Sequence, residues 1–127
     1  MNRIIKFRGK RIDNGEWVYG CYFYGYQDYS YLETKEKKHY IEWYDDKNHY
    51  HVDEVIPSTV GQFTGLYDKN GVEIWEGDIV VHTSFPRDGQ QVRYENGCFV
   101  VGQMALNSYH SSVIEVIGNI HEKEIRE

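Results

Sequence analysis

Three short stretches carry the side chains best suited to chemistry. In NHYHVDEV, His49, His51 and Asp53 recur at every second position. On a strand such residues share one face, and two imidazoles with a carboxylate form a zinc donor set. Successive members stand roughly 6.5–7 Å apart along the backbone, a span that the two histidines can bridge. No cysteine or further histidine follows at a matching interval, and a metal centre needs a defined third ligand and an outer shell to orient it. The expectation is a solvated strand face and no bound metal.

In GVEIWEGDIVVH, Glu73, Glu76 and Asp78 precede His82. Carboxylate catalysis requires two acids at a fixed separation, in surroundings that push their pKa values apart. Glu76 and Asp78 flank Gly77, where a turn is expected to leave both in water. No nucleophile elbow, His-Glu-x-x-His or kinase-type motif occurs. The chain is therefore expected to be neither an enzyme nor a cofactor protein.

In IIKFRGKR, Lys6, Arg8 and Lys10 alternate around Phe7, with Arg3 and Arg11 nearby. A basic strand face beside aromatic rings is how small barrels grip single-stranded nucleic acid. Against this, 14 basic side chains face 20 acidic ones, a formal charge of −6, and phosphate binding usually leaves a basic footprint. The favoured reading is a half-exposed strand whose lysines guard its edge from pairing. Single-stranded nucleic acid stays as the alternative partner.

The stretch GQFTGLYDKNGVEIWEGDIVV (residues 61–81) crowds glycines and acids as a phosphate or calcium loop would. A phosphate loop would add Lys-Ser/Thr at the start of a helix, and none follows. An EF-hand needs glycine at loop position 6, whereas counting from Asp68 the glycine falls at position 4. Turn chemistry accounts for the stretch: a strand at 62–67, a turn at 68–71, a strand at 72–75, and a second turn into 79–82.

The elements that position these residues are strands. Asn14-Gly15, Asn70-Gly71, Asn96-Gly97 and Asp88-Gly89 are hairpin signals, because both central residues of a type I′ turn need positive φ. Trp17, Tyr19, Cys21 and Phe23 alternate with Val18, Gly20, Tyr22 and Tyr24. Further strands are expected at 29–34, 39–44, 49–55, 90–95, 98–103 and 113–120. Helical period is absent except for one turn at 57–60, where Pro57 suits the first position, and the charged end 121–127. The fold class is all-β or strongly β-rich: antiparallel hairpins in a small barrel or sandwich, as one domain over 1–127.

Twelve tyrosines and three tryptophans stand beside three leucines, so a core built from aromatic rings more than from leucine is expected. In YFYGYQDYSYLE, Tyr22, Tyr24 and Tyr26 fall on one strand face. Rings on both faces leave some exposed, and a contiguous ring patch marks an interface. A protein partner or self-association is the expectation. Cys21 and Cys98 sit among apolar residues and are expected to be buried, reduced thiols. Without an apolar leader or an ~18-residue apolar run, a cytoplasmic protein with no membrane contact is expected.

The residues 61–81 stretch, with IIKFRGKRIDNGEWVYG before it and VIEVIGNIHE after it, resembles the YopX family of bacteriophage and prophage proteins. The three pieces cover about half of the chain in the family's order. Trp75 and His121 stand where the family often has Tyr, and both keep an amphipathic ring. The resemblance implies a mostly β protein working in the host cytoplasm, and it brings no catalytic residues. GDIVV, QQVRYENGCFVV and VIEVIGNI are also similar to the meander of an SH3-like barrel in the C-terminal half.

Overall fold

Alternation from Trp17 to Gly25 and from Lys38 to Tyr44 makes two strands, around which the N-terminal half is arranged. The computed structural model describes residues 4–26, 36–110 and 113–122. Among these are twelve strands and short 3-10 turns at Pro57–Thr59 and Leu106–Ser108, with no α-helix. The strongly β-rich, antiparallel reading is thus met. The chain forms two compact units, Lys6–Gly61 and the remainder.

In the first unit, β1 (Phe7–Lys10), β2 (Trp17–Gly25), β3 (Lys38–Tyr44) and β4 (Tyr50–Glu54) form antiparallel pairs in the order β4-β3-β2-β1. The sheet then curls onto itself. Val55 bridges Arg11, the Ile12 N–H donates to the Glu54 carbonyl (3.1 Å), and the Ile56 N–H donates to the Lys10 carbonyl (2.8 Å). Curling encloses Val18, Ile41 and Val55, with Phe7, Tyr22, Trp43 and Val60 packed around them. Each fully buried aliphatic side chain contributes about 1.5–3 kcal/mol. Gly20 permits this path: a Cβ there would lie 2.1 Å from the Glu42 carbonyl oxygen.

The second unit contains β5 (Gly61–Tyr67), β6 (Glu73–Trp75), β7 (Asp78–Val81), β8 (Gln90–Gln91), β9 (Arg93–Glu95), β10 (Cys98–Val101), β11 (Met104–Ala105) and β12 (Glu115–Asn119). β5 pairs β6, β7 lies between β12 and β8, and β10 lies between β9 and β11. Its core is Ile74, Val80, Val92, Val101, Leu106 and Ile114, edged by Phe85, Phe99, Tyr109 and Val116. Among the described residues Tyr40, Phe63 and Trp75 are buried beside a single buried leucine, Leu106, so rings outnumber leucine inside as expected. The largest described side chains under 2% exposed are all Ile, Val or Leu, because branched aliphatics fill the space between short twisted strands while phenols keep a polar tip near water.

The turns also differ from expectation. Only Asn96-Gly97 has positive φ at both residues (52° and 83°), joining β9 to β10 with Glu95 opposite Cys98. At the other three pairs glycine alone is left-handed; a neighbouring side chain closes two of these loops, and at Asp88-Gly89 the Gly89 N–H donates to the Pro86 carbonyl (2.9 Å). Asn14 Oδ1 accepts the Glu16 N–H (2.9 Å), and Asp68 Oδ1 accepts the N–H groups of Asn70 (2.8 Å) and Val72 (2.9 Å). Cys21 and Cys98 are both exposed rather than buried, since each falls on the outward side of its strand alternation. The strand expected at 29–34 and the end 123–127 lie outside the described residues.

Candidate functional site

Strand register sorts the rings of the first unit onto two faces. Tyr22 pairs Ile41 and Ile41 pairs Asp53, so these three side chains share the inner face with Val18. Arg8 pairs Tyr19, Lys10 pairs Trp17, Cys21 pairs Glu42, and Tyr44 pairs Tyr50; all of these lie on the outer face. That face leaves three tyrosines open to solvent: Tyr19 at 48%, Tyr44 at 64% and Tyr50 at 54%. The Tyr44 and Tyr50 rings stand 5.4 Å apart, and the Tyr50 hydroxyl donates to Glu42. That carboxylate holds the phenol's proton and pushes its pKa up to about 12.

The predicted binding residues divide differently from the sequence grouping. Phe7 and Tyr22 turn inward, with ring centroids 5.7 Å apart. Tyr22 Oη lies 2.6 Å from His39 Nδ1, and burial raises its pKa. Tyr24 and Tyr26 are exposed, with Lys37 Nζ 5.9 and 5.8 Å from their ring centroids. Lys6 and Lys10 are half-buried, and Lys10 Nζ stands 5.4 Å from the Trp17 ring. Arg8 is 6% exposed, its guanidinium 4.6 Å over Trp17. Alternation finds the face on which these residues lie but cannot show that Arg8 is covered. The outer tyrosines of β3 and β4 were missed because Tyr44 and Tyr50 become neighbours only through register.

His49 and His51 do converge, on Asp45 rather than Asp53. His51 Nε2 lies 2.9 Å and His49 Nδ1 3.4 Å from Asp45 Oδ2. Asp45 Oδ1 accepts the N–H groups of Lys47 (3.0 Å) and His49 (2.8 Å). The His51 hydrogen bond, with these backbone donors, holds the Asp45 carboxyl below its ordinary pKa. Asp53 instead accepts from Trp43 Nε1 (2.7 Å) and stands 3.6 Å from Arg11. Among the described residues no three His, Cys, Asp or Glu side chains are grouped to hold a metal ion.

Of the acids of residues 73–78, Glu73 lies in β6 and Asp78 closes the turn that follows. Asp78, expected in water, is 2% exposed, and its Oδ2 accepts the Trp75 N–H (2.7 Å). The correction has a simple cause: the carboxylate satisfies a backbone donor of the tight turn it closes. Glu76 Oε1 accepts the Gln62 N–H (3.3 Å). His82 meets Ser84 Oγ (2.7 Å) and the rings of Phe85 and Tyr109, not the acids.

The second unit holds a cleft of about 720 Å³ lined by Phe63, Tyr67, Tyr94, Cys98, Phe99 and Leu106 among others. None of its lining side chains is charged. Its lining mixes these rings with the polar side chains of Gln62, Thr64 and Asn107. Among the described residues no helix is long and apolar enough to cross a membrane.

A comparison with functionally curated proteins finds no match. Among solved structures, the chain is similar to the crystal structure of protein EF1440 from Enterococcus faecalis. The TM-score is 0.53 at 24% identity, over 94% of this chain and 95% of that one. That likeness extends to the fold. The profile of the YopX protein family matches residues 6–124, so the signature read at residues 61–81 is part of a match running through both units: this chain belongs to the YopX family.

Proposed function

We propose that the chain is a non-catalytic protein-interaction module, encoded by a bacteriophage or prophage and acting in the host cytoplasm. The outer face of the first sheet is its contact surface. The observation that carries this reading is the cluster of Tyr19, Tyr44 and Tyr50, each about half exposed on one face of three neighbouring strands. Tyrosine gives large contact area at small entropic cost and keeps a hydroxyl for polar contacts, and such rings are enriched at interfaces. The short strands β7–β12 suit an SH3-like barrel that serves as scaffold. The burial of Arg8 weighs against a phosphate-binding role for the Lys6, Arg8, Lys10 face.

The test compares the chain with a Tyr19→Lys/Tyr44→Lys variant by sedimentation velocity and by capture of host proteins. Loss of self-association or of a specific captured protein in the variant is expected. Fluorescence anisotropy with single-stranded DNA and RNA at low salt is run beside it. Tight oligonucleotide binding, with no protein contact sensitive to the tyrosines, would replace this reading with the nucleic-acid one.

A further inference from the structure

The hydrogen bonds of β4 define which of its groups look outward. Val55 donates to the His39 carbonyl (2.9 Å), and His49 accepts from the Asp45 N–H (3.0 Å). Both ends therefore assign the odd residues of this segment to the β3 ladder, since bonded and non-bonded pairs alternate in an antiparallel ribbon. The backbone groups of Tyr50, Val52 and Glu54 point to the other side. There Glu54 accepts from Ile12 and Ile56 donates to Lys10. β4 ends the sheet of its unit, and among the described residues the outward groups of Tyr50 and Val52 meet no backbone partner.

We propose that this edge is paired by a second copy of the chain, β4 against β4 in antiparallel register with the twofold axis at His51. The proposal rests on the interaction-module reading and names its partner. A register centred on Val52 would need the outward carbonyl of Glu54, which Ile12 already occupies, so the axis shifts to His51. Tyr50 then lies opposite the partner's Val52 and exchanges two backbone hydrogen bonds with it, twice by symmetry. The same register sets His49 opposite the partner's Asp53, a complementary pair on each side of the axis. On the outer face it joins the Tyr44–Tyr50 ring pair of one copy to that of the other. The outward-bonding positions Tyr50 and Val52 carry neither Lys nor Pro, two of the usual devices against pairing.

Two variants test it. Val52→Pro removes an outward donor and no bond to β3, so the fold survives at this edge position. Its dimer dissociation constant by sedimentation equilibrium is expected to rise at least about tenfold, with an unchanged circular dichroism spectrum. In a Cys21→Ser/Cys98→Ser background, His51→Cys stands opposite its own copy at a non-bonded pair, where Cα atoms come to about 4.5 Å and a disulfide fits. It is expected to form a covalent dimer on mild oxidation, whereas Tyr50→Cys is not. A chain that stays monomeric at 100-fold dilution and at the highest soluble concentration alike overturns the proposal. So does a dimer indifferent to Val52→Pro with no His51→Cys crosslink. If Tyr19→Lys/Tyr44→Lys abolishes association while Val52→Pro leaves it intact, the edge register fails and the aromatic-face reading stands.

Discussion

The loops after β3 and after β5 are the same turn with different second halves. Each begins with Asp, and each carries its left-handed residue three positions later: Asn48 (φ 64°) and Gly71 (φ 77°). In each the Asp N–H donates to the carbonyl four residues on, at His49 (3.0 Å) and Val72 (2.8 Å). In each, Oδ1 accepts the N–H groups two and four residues on. The second oxygen separates them. Asp68 Oδ2 accepts the Val116 N–H (3.0 Å) from β12, 48 residues away, and Asp68 is 4% exposed. Asp45 Oδ2 meets His51 and His49 on its own hairpin. One carboxylate ties distant strands together through a backbone donor of β12; the other stays local, beside two imidazoles of its own hairpin.

The largest expected effect breaks the curl on which the Asp45 hairpin depends. Gly20→Ala places a methyl group 2.1 Å from the Glu42 carbonyl oxygen, a backbone atom that cannot rotate away. A loss of about 3 kcal/mol or more is expected, read by denaturant melts and by hydrogen exchange confined to the first unit. Equal loss of protection in β7 and β12 would show that the clash is not local to the β2–β3 pair.

Next is Asp68→Ala, which leaves three backbone donors without their acceptor. A cost of about 2–4 kcal/mol is expected, and Val116 should lose exchange protection along with Asn70 and Val72. If Val116 stays protected, the link from the loop to β12 is not structural.

The third outcome concerns pH. The Asp45 carboxyl is held below its ordinary 3.8, first by the His51 hydrogen bond. A depressed native pKa gives stability that is present above the unfolded value and is lost as pH falls through the native one. Melting temperature should therefore decline below about pH 4, and Asp45→Asn or His51→Gln should flatten that decline. Identical slopes in all three proteins would remove the claim.

A fourth measurement isolates Tyr50. Its phenol titrates at about 12, held up by Glu42, and Glu42→Gln should return it toward 10 in an ultraviolet pH titration. The smallest effect is the exchange of left-handed residues, Asn48→Gly with Gly71→Asn. Both tolerate positive φ, so stability should change by less than about 1 kcal/mol. A larger loss at either position would show that the two loops are not equivalent.

Much of the architecture was legible because it is local. Period-two alternation located β2 and β3, and Asp68-Lys69-Asn70-Gly71 was read as a turn from the side chains that make one. Pro57 marked a single helical turn. The candidate site was less legible. Tyr22 and Phe7 were grouped with exposed residues because alternation assigns faces without saying which face is covered. Asp78 was expected in water because a turn's outward residues and its capping acid look alike in sequence.

The sequence by itself determined a β-rich chain, the family to which it belongs, and where the polypeptide must reverse, since glycine, asparagine and period-two patterning act over a few residues. Tertiary structure alone decided that Arg8 is covered, that Tyr44 and Tyr50 become neighbours, and that Asp68 reaches β12. Those outcomes depend on register and curl, and register is a relation between segments that no single segment contains.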